Sequence, residues 1–172
     1  CGNGIILKSF LEAASNLNLD KNKVAVVSGI GCSSRITGYL DFNTLHTLHG
    51  RAIPFATGVK LAKPDFDVIV MGGDGDLLAI GGNHFLHACR RNMDLTVIIF
   101  NNNIYGMTGG QYSPTTPKNG WATTSPYGNL EDNVDPVKLA ITSGATYVAR
   151  STVFHYSLTT KYIENAIKHK GM

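Results

Sequence analysis

The sequence predicts an α/β fold in which a parallel β-sheet is flanked by helices. Short runs rich in β-branched residues recur along the chain, and most of them close on glycine or on a polar turn. Helix-like stretches separate these runs, and such alternation is typical of βαβ units, whose strands run parallel. The predicted strands are residues 24–31, 68–73, 96–100 and 145–149.

Five helices are predicted around these strands. The first begins at Asn3, a residue type that caps helices well, carries apolar residues at helical spacing and ends within residues 16–20. On the predicted helix over residues 77–91, Leu78, Phe85 and Cys89 share one apolar face, so the Cys89 thiol is predicted to pack in the core. The four later helices are predicted over residues 55–63, 77–91, 136–143 and 157–169.

Residues 106–135 break this pattern. The segment is rich in Gly, Pro, Ser and Thr, and it lacks helical or strand periodicity over about 30 residues. Structureless loops longer than about 15 residues are usually functional or disordered. Because this one contains Trp121 and Tyr127, we predict a loop that packs against a cofactor or a partner subunit.

The length predicts one domain, residues 1–172, because domains average about 150 residues. The chain starts at Cys1 without an initiator methionine and stops at Met172 directly after a predicted helix. We therefore expect this domain to be truncated at both ends.

Composition excludes several classes of protein. Fifteen basic and twelve acidic residues give a net charge of +3, and the basic residues are scattered, which disfavours nucleic acid as a partner. No apolar stretch approaches the ~20 residues that cross a bilayer, so no membrane span is expected. The chain has three cysteines and no signal-peptide pattern, which together predict a reducing, cytoplasmic location.

Two polar motifs follow predicted strands: Gly-Gly-Asp-Gly-Asp at 72–76 and Asn-Asn-Asn-Ile-Tyr-Gly at 101–106. One βαβ crossover fits between Asp74 and Asn102, and the carboxyl ends of parallel strands meet at one sheet edge. Carboxylate, amide and backbone carbonyl oxygens there suit octahedral Mg²⁺ completed by phosphate oxygens. The sequence therefore predicts a magnesium–diphosphate site.

Neighbouring residues support the same site. Gly73 and Gly75 let the backbone approach the ligand closely, and the following helix directs its N-terminus at the phosphates. Asp76 is the alternative metal ligand, although a carboxylate in the first helical turn is also expected to complement the helix dipole. A nicotinamide dinucleotide is not expected, because Ser34 stands where the third glycine of that fingerprint belongs.

The Gly-Asp-Gly and Asn-Asn pair resembles the thiamine-diphosphate signature. The run from Asn102 to Gln111, Asn-Asn-Ile-Tyr-Gly-Met-Thr-Gly-Gly-Gln, is similar to the β subunits of 2-oxoacid:ferredoxin oxidoreductases. Residues 29–35 and 48–58 also resemble that family, so the resemblance covers essentially the whole chain. The sequences of these segments are most similar to 2-oxoglutarate-type subunits, and pyruvate and branched-chain types are similar as well.

The resemblance implies a thiamine-diphosphate-binding fold and roles for individual residues. It makes the Asp74 and Asn102 side chains and the Ile104 carbonyl the Mg²⁺ ligands, with Gly73 and Gly75 against the cofactor. It places the following residues at the diphosphate or in the cofactor and substrate pocket, with His49 and Arg51 as candidate catalytic groups: Gly31, Cys32, Ser33, His49, Arg51, Thr108 and Gly109.

The resemblance also implies an iron–sulfur centre and partner proteins. In this family the β subunit carries a [4Fe–4S] cluster on four cysteines, and Cys1 and Cys32 match two of them, with the remaining ligands outside this chain. An α subunit is expected to supply the glutamate that activates the aminopyrimidine. Further γ and δ subunits, ferredoxin and coenzyme A are the other expected partners.

The implied function is oxidative decarboxylation of a 2-oxoacid, most similar to 2-oxoglutarate, to an acyl-coenzyme A, with electrons leaving through iron–sulfur clusters to ferredoxin. Four alternatives stay open at this point. They are a pyruvate enzyme, a branched-chain enzyme, a non-redox thiamine-diphosphate lyase or transferase, and a non-catalytic α/β binding module.

Overall fold

Four parallel strands form the central sheet of the structure, a computed structural model that describes residues 1–172. In chain order they are β1 (Val24–Ser28), β2 (Asn43–His46), β3 (Asp67–Gly73) and β4 (Thr96–Phe100). Their order across the sheet is β2-β1-β3-β4, and every neighbouring pair is parallel. The predicted parallel sheet flanked by helices is confirmed.

Helices cover both faces of this sheet. One face of β1 and β3 packs Val27 and Val70 against α2 and α3, with Phe85 and Cys89 in the same cluster. The helices are α1 (Asn3–Asn16), α2 (Ala52–Ala62), α3 (Gly82–Arg90), α4 (Pro136–Thr142) and α5 (Tyr156–Lys168). None of them combines the length and the apolar character that crossing a membrane requires.

The opposite face packs against α1 and α5. Phe10 of α1 and Ile163 of α5 lie in one cluster with Val26 and Ile69 of the sheet. Because both faces are covered, β1 and β3 are apolar without alternation, as is typical of parallel strands in α/β proteins.

Several helix starts differ from the sequence prediction, and α2 begins at Ala52 rather than at residue 55. Asn3 is the first residue of α1 rather than its cap, because Gly2, at a φ of 80°, occupies the cap position without a side-chain hydrogen bond. The predicted 77–91 helix begins earlier, as a π-helical stretch over Gly75–Ile80, and continues as α3 after Gly81.

The predicted strand at 145–149 is wrong, and one strand of the central sheet was missed. Thr146 and Tyr147 direct their N–H groups at the Met172 carbonyl instead of pairing with β4. The missed strand, β2, lies at the sheet edge with all four residues exposed, so it lacks the apolar run that would have predicted it. Pairing at both places depends on tertiary neighbours more than on local sequence.

The 106–135 segment is mostly irregular, and a short hairpin joins its start to the two residues before it. Strands β5 (Ile104–Tyr105) and β6 (Gln111–Tyr112) pair antiparallel. Two left-handed glycines, Gly109 and Gly110, form part of the connection between them. The hairpin folds the segment back over the carboxyl edge of the sheet.

Candidate functional site

The carboxyl edge of the sheet brings the two polar motifs together. Gly73, the last residue of β3, is the register partner of Phe100, the last residue of β4. Asp74 and Asn101 therefore leave neighbouring strands at the same level. The predicted proximity of Asp74 and Asn102 is present in the structure.

Three groups converge at this edge. One terminal atom of the Asn102 amide lies 2.8 Å from the Ile104 carbonyl oxygen and 3.1 Å from Asp74 Oδ1. Mg²⁺ holds its ligands at roughly 2.0–2.1 Å in an octahedron, which places neighbouring oxygens about 2.9 Å apart. These separations match that octahedral edge.

The Asn102 amide fits the site in two orientations. With its nitrogen toward Asp74 and Ile104, it donates to both oxygens, which satisfies the group when no cation is present. With its oxygen there, three oxygens face one another, an arrangement that is favourable only around a cation. The Ile104 N–H, 3.3 Å from Asn102 Oδ1, donates to it in this second orientation.

Asp74 is buried at 1% exposure, and its two oxygens have different partners. Oδ2 accepts hydrogen bonds from Ser113 Oγ at 2.6 Å and from Thr115 Oγ1 at 2.5 Å. Oδ1 faces Asn102. One oxygen is thus held by the protein while the other remains directed at the proposed metal position. Neither Ser113 nor Thr115 is among the site residues predicted from the sequence.

Asp76 is buried as well, and protein groups hold one of its oxygens, whereas Oδ2 has no hydrogen-bond partner. Its Oδ1 accepts hydrogen bonds from the Gly50 N–H at 2.7 Å and the Ile30 N–H at 3.2 Å. The same oxygen lies 2.8 Å from His49 Nδ1. The carboxylate therefore ties the loop that carries His49 to the loop after β1, in addition to its place in the first turn of the π-helical stretch.

A cavity of about 220 Å³ opens beside the three converging groups. Arg51 and Gly109 do not line it, and Arg51 instead donates to the Ile80 carbonyl at 3.2 Å. The other predicted site residues line it: Gly31, Cys32, Ser33, His49, Gly73, Asp74, Gly75, Asn102, Ile104 and Thr108. The larger cavity, about 790 Å³, lies along β4 and contains none of the cofactor residues except Asn102.

The charge of the smaller cavity is negative. Two carboxylates, Asp74 and Asp76, line it together with His49, and no Lys or Arg does. A diphosphate entering this cavity would be repelled unless a cation intervenes. The cavity therefore suits a phosphate ligand only together with a metal ion.

Gly75 and Tyr105 fit closely against each other. A Cβ on Gly75 would lie 2.2 Å from the Tyr105 ring, and the Tyr105 hydroxyl donates to the Gly75 carbonyl at 3.2 Å. Burial, together with Asp74 and Asp76, raises the pKa of Tyr105. The absence of a side chain at Gly75 thus leaves room for the Tyr105 ring, in addition to the close approach of a ligand predicted for this glycine.

The cysteines have contrasting environments. Cys1 and Cys32 are exposed, and Cys1 lines the larger cavity whereas Cys32 lines the smaller one. Cys89 is fully buried, as predicted, and burial raises the pKa of its thiol to about 11. A [4Fe–4S] cluster needs four ligands, and this chain has two exposed thiols.

Thiol labelling separates these environments. In the metal-free, reduced chain at pH 7, we expect a thiol reagent to modify Cys1 and Cys32 rapidly and Cys89 only after denaturation, because the reactive species is the thiolate. Counting released chromophore before and after adding guanidinium checks this. Rapid modification of a third thiol in the folded chain would contradict the burial of Cys89, and a Cys89→Ala variant identifies that thiol.

Comparison with known proteins shows the family to which the chain belongs. A model of the family "Thiamine pyrophosphate enzyme, C-terminal TPP binding domain" matches residues 29–172. The chain belongs to this family of thiamine diphosphate (thiamine pyrophosphate) enzymes. The thiamine-diphosphate-binding fold inferred from the resemblance is confirmed.

Individual relatives are more specific. The 2-oxoglutarate synthase subunit KorB of Methanocaldococcus jannaschii is 59% identical over 99% of this chain and 63% of its own length. The same subunit of Archaeoglobus fulgidus is 58% identical over 99% of this chain and 64% of its own length. The chain thus spans a little under two thirds of the curated relatives it matches.

A solved structure also matches over nearly the whole chain. A chain of the 2-oxoglutarate:ferredoxin oxidoreductase from Magnetococcus marinus, solved with 2-oxoglutarate, coenzyme A and succinyl-CoA bound, superposes with a TM-score of 0.98 at 44% identity. The match covers 99% of this chain and 59% of that one. The resemblance to 2-oxoacid:ferredoxin oxidoreductase subunits is confirmed.

Proposed function

We propose that this chain is the cofactor-diphosphate-binding part of the β subunit of a 2-oxoacid:ferredoxin oxidoreductase that acts on 2-oxoglutarate. The observation that carries the proposal is the convergence of Asp74 Oδ1, the Asn102 amide and the Ile104 carbonyl at distances that fit one Mg²⁺. The relatives and the solved structure, all named for 2-oxoglutarate, support the choice of substrate.

Each group of the site has a role in this proposal. Asp74, Asn102 and Ile104 hold Mg²⁺, which neutralises the two carboxylates and accepts the diphosphate of the cofactor. Bound thiamine diphosphate supplies the carbanion and electron sink for decarboxylation. His49 lies at the cavity wall, where its imidazole suits the carboxylate of a 2-oxoacid.

The remaining predicted residues take supporting roles. Gly31 and Ser33 present small groups to the cofactor, and Thr108 lines the cavity near its diphosphate end. Arg51 and Gly109, which lie outside the cavity, are assigned to positioning the loops that bear His49 and Thr108. Arg51 does so through its hydrogen bonds to the Gly50 and Ile80 carbonyls.

The size of the cavity supports a shared active site. At about 220 Å³ it is smaller than the roughly 300–1,000 Å³ of typical ligand pockets, so this chain surrounds only part of a cofactor. We propose that an α subunit encloses the aminopyrimidine half and supplies the activating glutamate. The exposed Trp121 and Tyr127 of the 106–135 loop suit contact with that subunit.

Electron transfer and location complete the proposal. Cys1 and Cys32 supply two ligands of a [4Fe–4S] cluster through which electrons reach ferredoxin, while coenzyme A accepts the acyl group. Because all three cysteines are free thiols, we also propose a cytoplasmic location. The γ and δ subunits, where present, extend the electron path.

The test is an assay of the full-length subunit co-purified with its α partner. We expect coenzyme A-dependent reduction of ferredoxin with 2-oxoglutarate, at a higher kcat/KM than with pyruvate or branched-chain 2-oxoacids, and bound iron and thiamine diphosphate. Activity without iron would instead support a non-redox lyase or transferase. Failure to bind thiamine diphosphate with Mg²⁺ would support a non-catalytic module.

A further inference from the structure

A buried turn of hydroxyl residues lies against the metal-facing loops. The turn consists of residues 113–116, Ser-Pro-Thr-Thr, and is called here the hydroxyl turn. Its three hydroxyl-bearing residues, Ser113, Thr115 and Thr116, are exposed by 1–3% only. The Thr116 N–H donates to the Ser113 carbonyl at 3.0 Å, and Thr116 Oγ1 accepts from the Ser113 N–H at 2.8 Å. The turn therefore has a closed internal hydrogen-bond pattern.

One side of the hydroxyl turn holds Asp74. Both Ser113 Oγ and Thr115 Oγ1 donate to Asp74 Oδ2, and the two hydroxyls lie 3.0 Å from each other. Hydrogen bonds from hydroxyls to a carboxylate at such short distances are charge-assisted and stronger than neutral ones. Two donors on one oxygen fix the rotation of the carboxylate.

The other side holds the second ligand loop. Thr116 Oγ1 donates to the Asn103 carbonyl at 2.6 Å. Asn103 has a left-handed backbone with a φ of 62° and lies between Asn102 and Ile104. The hydroxyl turn therefore contacts both loops that face the proposed metal, one through Asp74 and one through Asn103.

We propose that Ser113, Thr115 and Thr116 are positioning residues that set the affinity and selectivity of the site for Mg²⁺. This inference rests on the proposed metal site and adds a role for residues that do not themselves touch the metal. With Oδ2 occupied, Asp74 offers only Oδ1, so the carboxylate binds a cation through one oxygen. Mg²⁺ prefers such single-oxygen binding, whereas Ca²⁺ accepts both oxygens of a carboxylate.

Removing a hydroxyl therefore has two consequences. The carboxylate loses a fixed orientation, and loss of such a supporting partner typically weakens metal binding about 10–100-fold. The carboxylate also gains freedom to bind through both oxygens. This second mode offsets the loss of affinity more for Ca²⁺ than for Mg²⁺. The ratio of the two dissociation constants thus reports the positioning role, whereas a general loss of structure would weaken both cations alike.

The experiment uses the assembled full-length enzyme stripped of metal, with thiamine diphosphate present in fixed excess so that it binds together with the added cation. Calorimetric titrations with Mg²⁺ and with Ca²⁺ are made on wild type, Thr115→Val, Ser113→Ala and Thr115→Ser. Thr160→Val serves as the matched control, because Thr160 is equally buried but its hydroxyl has no partner. Thermal unfolding in a chelator checks that each variant is folded.

We expect Thr115→Val and Ser113→Ala each to raise the Mg²⁺ Kd about 10–100-fold and the Ca²⁺ Kd by less. Thr115→Ser, which keeps the hydroxyl, and Thr160→Val should stay within about threefold of wild type. Equal weakening of both cations, or an unchanged Mg²⁺ Kd in the folded variants, would overturn the inference. Absence of Mg²⁺-dependent cofactor binding in wild type would overturn the proposed function itself.

Discussion

Replacing Asp74 by alanine is expected to abolish Mg²⁺-dependent binding of thiamine diphosphate in the assembled enzyme. The substitution removes one metal ligand and leaves Asn102 and Ile104 unable to complete the set. The loss should exceed the roughly 10–100-fold that removal of a mere supporting partner causes. Calorimetry with the cofactor, with and without Mg²⁺, measures it.

Asp76→Ala is the matched control for this experiment. Asp76 is as buried as Asp74 and lies two residues away, but its Oδ1 is occupied by Gly50, Ile30 and His49. We therefore expect this variant to retain metal-dependent cofactor binding while losing stability and turnover. Equal cofactor binding by the Asp74 and Asp76 variants would contradict the ligand assignment.

Gly50→Ala is expected to be a strongly damaging methyl addition near the site. Gly50 has a φ of 69°, and an added Cβ would lie 2.8 Å from the Gly81 nitrogen and the Ile80 carbonyl carbon, which are backbone atoms that cannot rotate away. The left-handed backbone and the overlap together should cost about 2–5 kcal/mol. Displacement of the Gly50 N–H from Asp76 would also move the neighbouring His49.

A fall in Tm of roughly 4–20 °C, with a raised KM for 2-oxoglutarate, is the expected readout for Gly50→Ala. Gly58→Ala is its control, because Gly58 lies in the middle of α2 and nothing lies within 4 Å of an added Cβ. In that position alanine should stabilise the helix by up to about 1 kcal/mol. If both variants melt like wild type, the close approach at Gly50 is incorrect.

The proximity of Asp74 and Asn102 could be predicted from sequence because a simple rule covers it. The β3 and β4 runs are apolar and β-branched, each ends in a polar motif, and parallel strands present their carboxyl ends at one edge. The same logic predicted the helices that cover both faces. Three of the four sheet strands and the meeting of the two polar motifs at one sheet edge were therefore accessible without coordinates.

The two errors in the predicted strands have a common physical cause, which is long-range pairing. The run at 145–149 looks like a strand locally, but its N–H groups at Thr146 and Tyr147 find the Met172 carbonyl 26 and 25 residues further along the chain. Strand β2 is polar and exposed, so only its pairing with β1 defines it. Long-range pairing carries no signal in a short window of sequence.

The hydroxyl turn and the Asp76 contacts were missed for a related reason. Ser113, Thr115 and Thr116 have the composition of any polar loop, and only burial distinguishes them. Asp76 was expected only to complement a helix dipole. Its contacts to Gly50 and His49 were missed because they join segments far apart in sequence. A search for pairs of hydroxyl residues that follow a glycine-containing hairpin turn would have suggested the hydroxyl turn as a hypothesis.

The central claim is that Asp74, Asn102 and Ile104 together hold one divalent cation. The most direct measurement is anomalous scattering from crystals of the assembled enzyme grown with thiamine diphosphate and Mn²⁺ in place of Mg²⁺. We expect a single peak at this site within coordination distance of Asp74 Oδ1, the Asn102 amide oxygen and the Ile104 carbonyl. A peak bound instead through Asp76, or one distant from all three atoms while the cofactor is bound, would contradict the account.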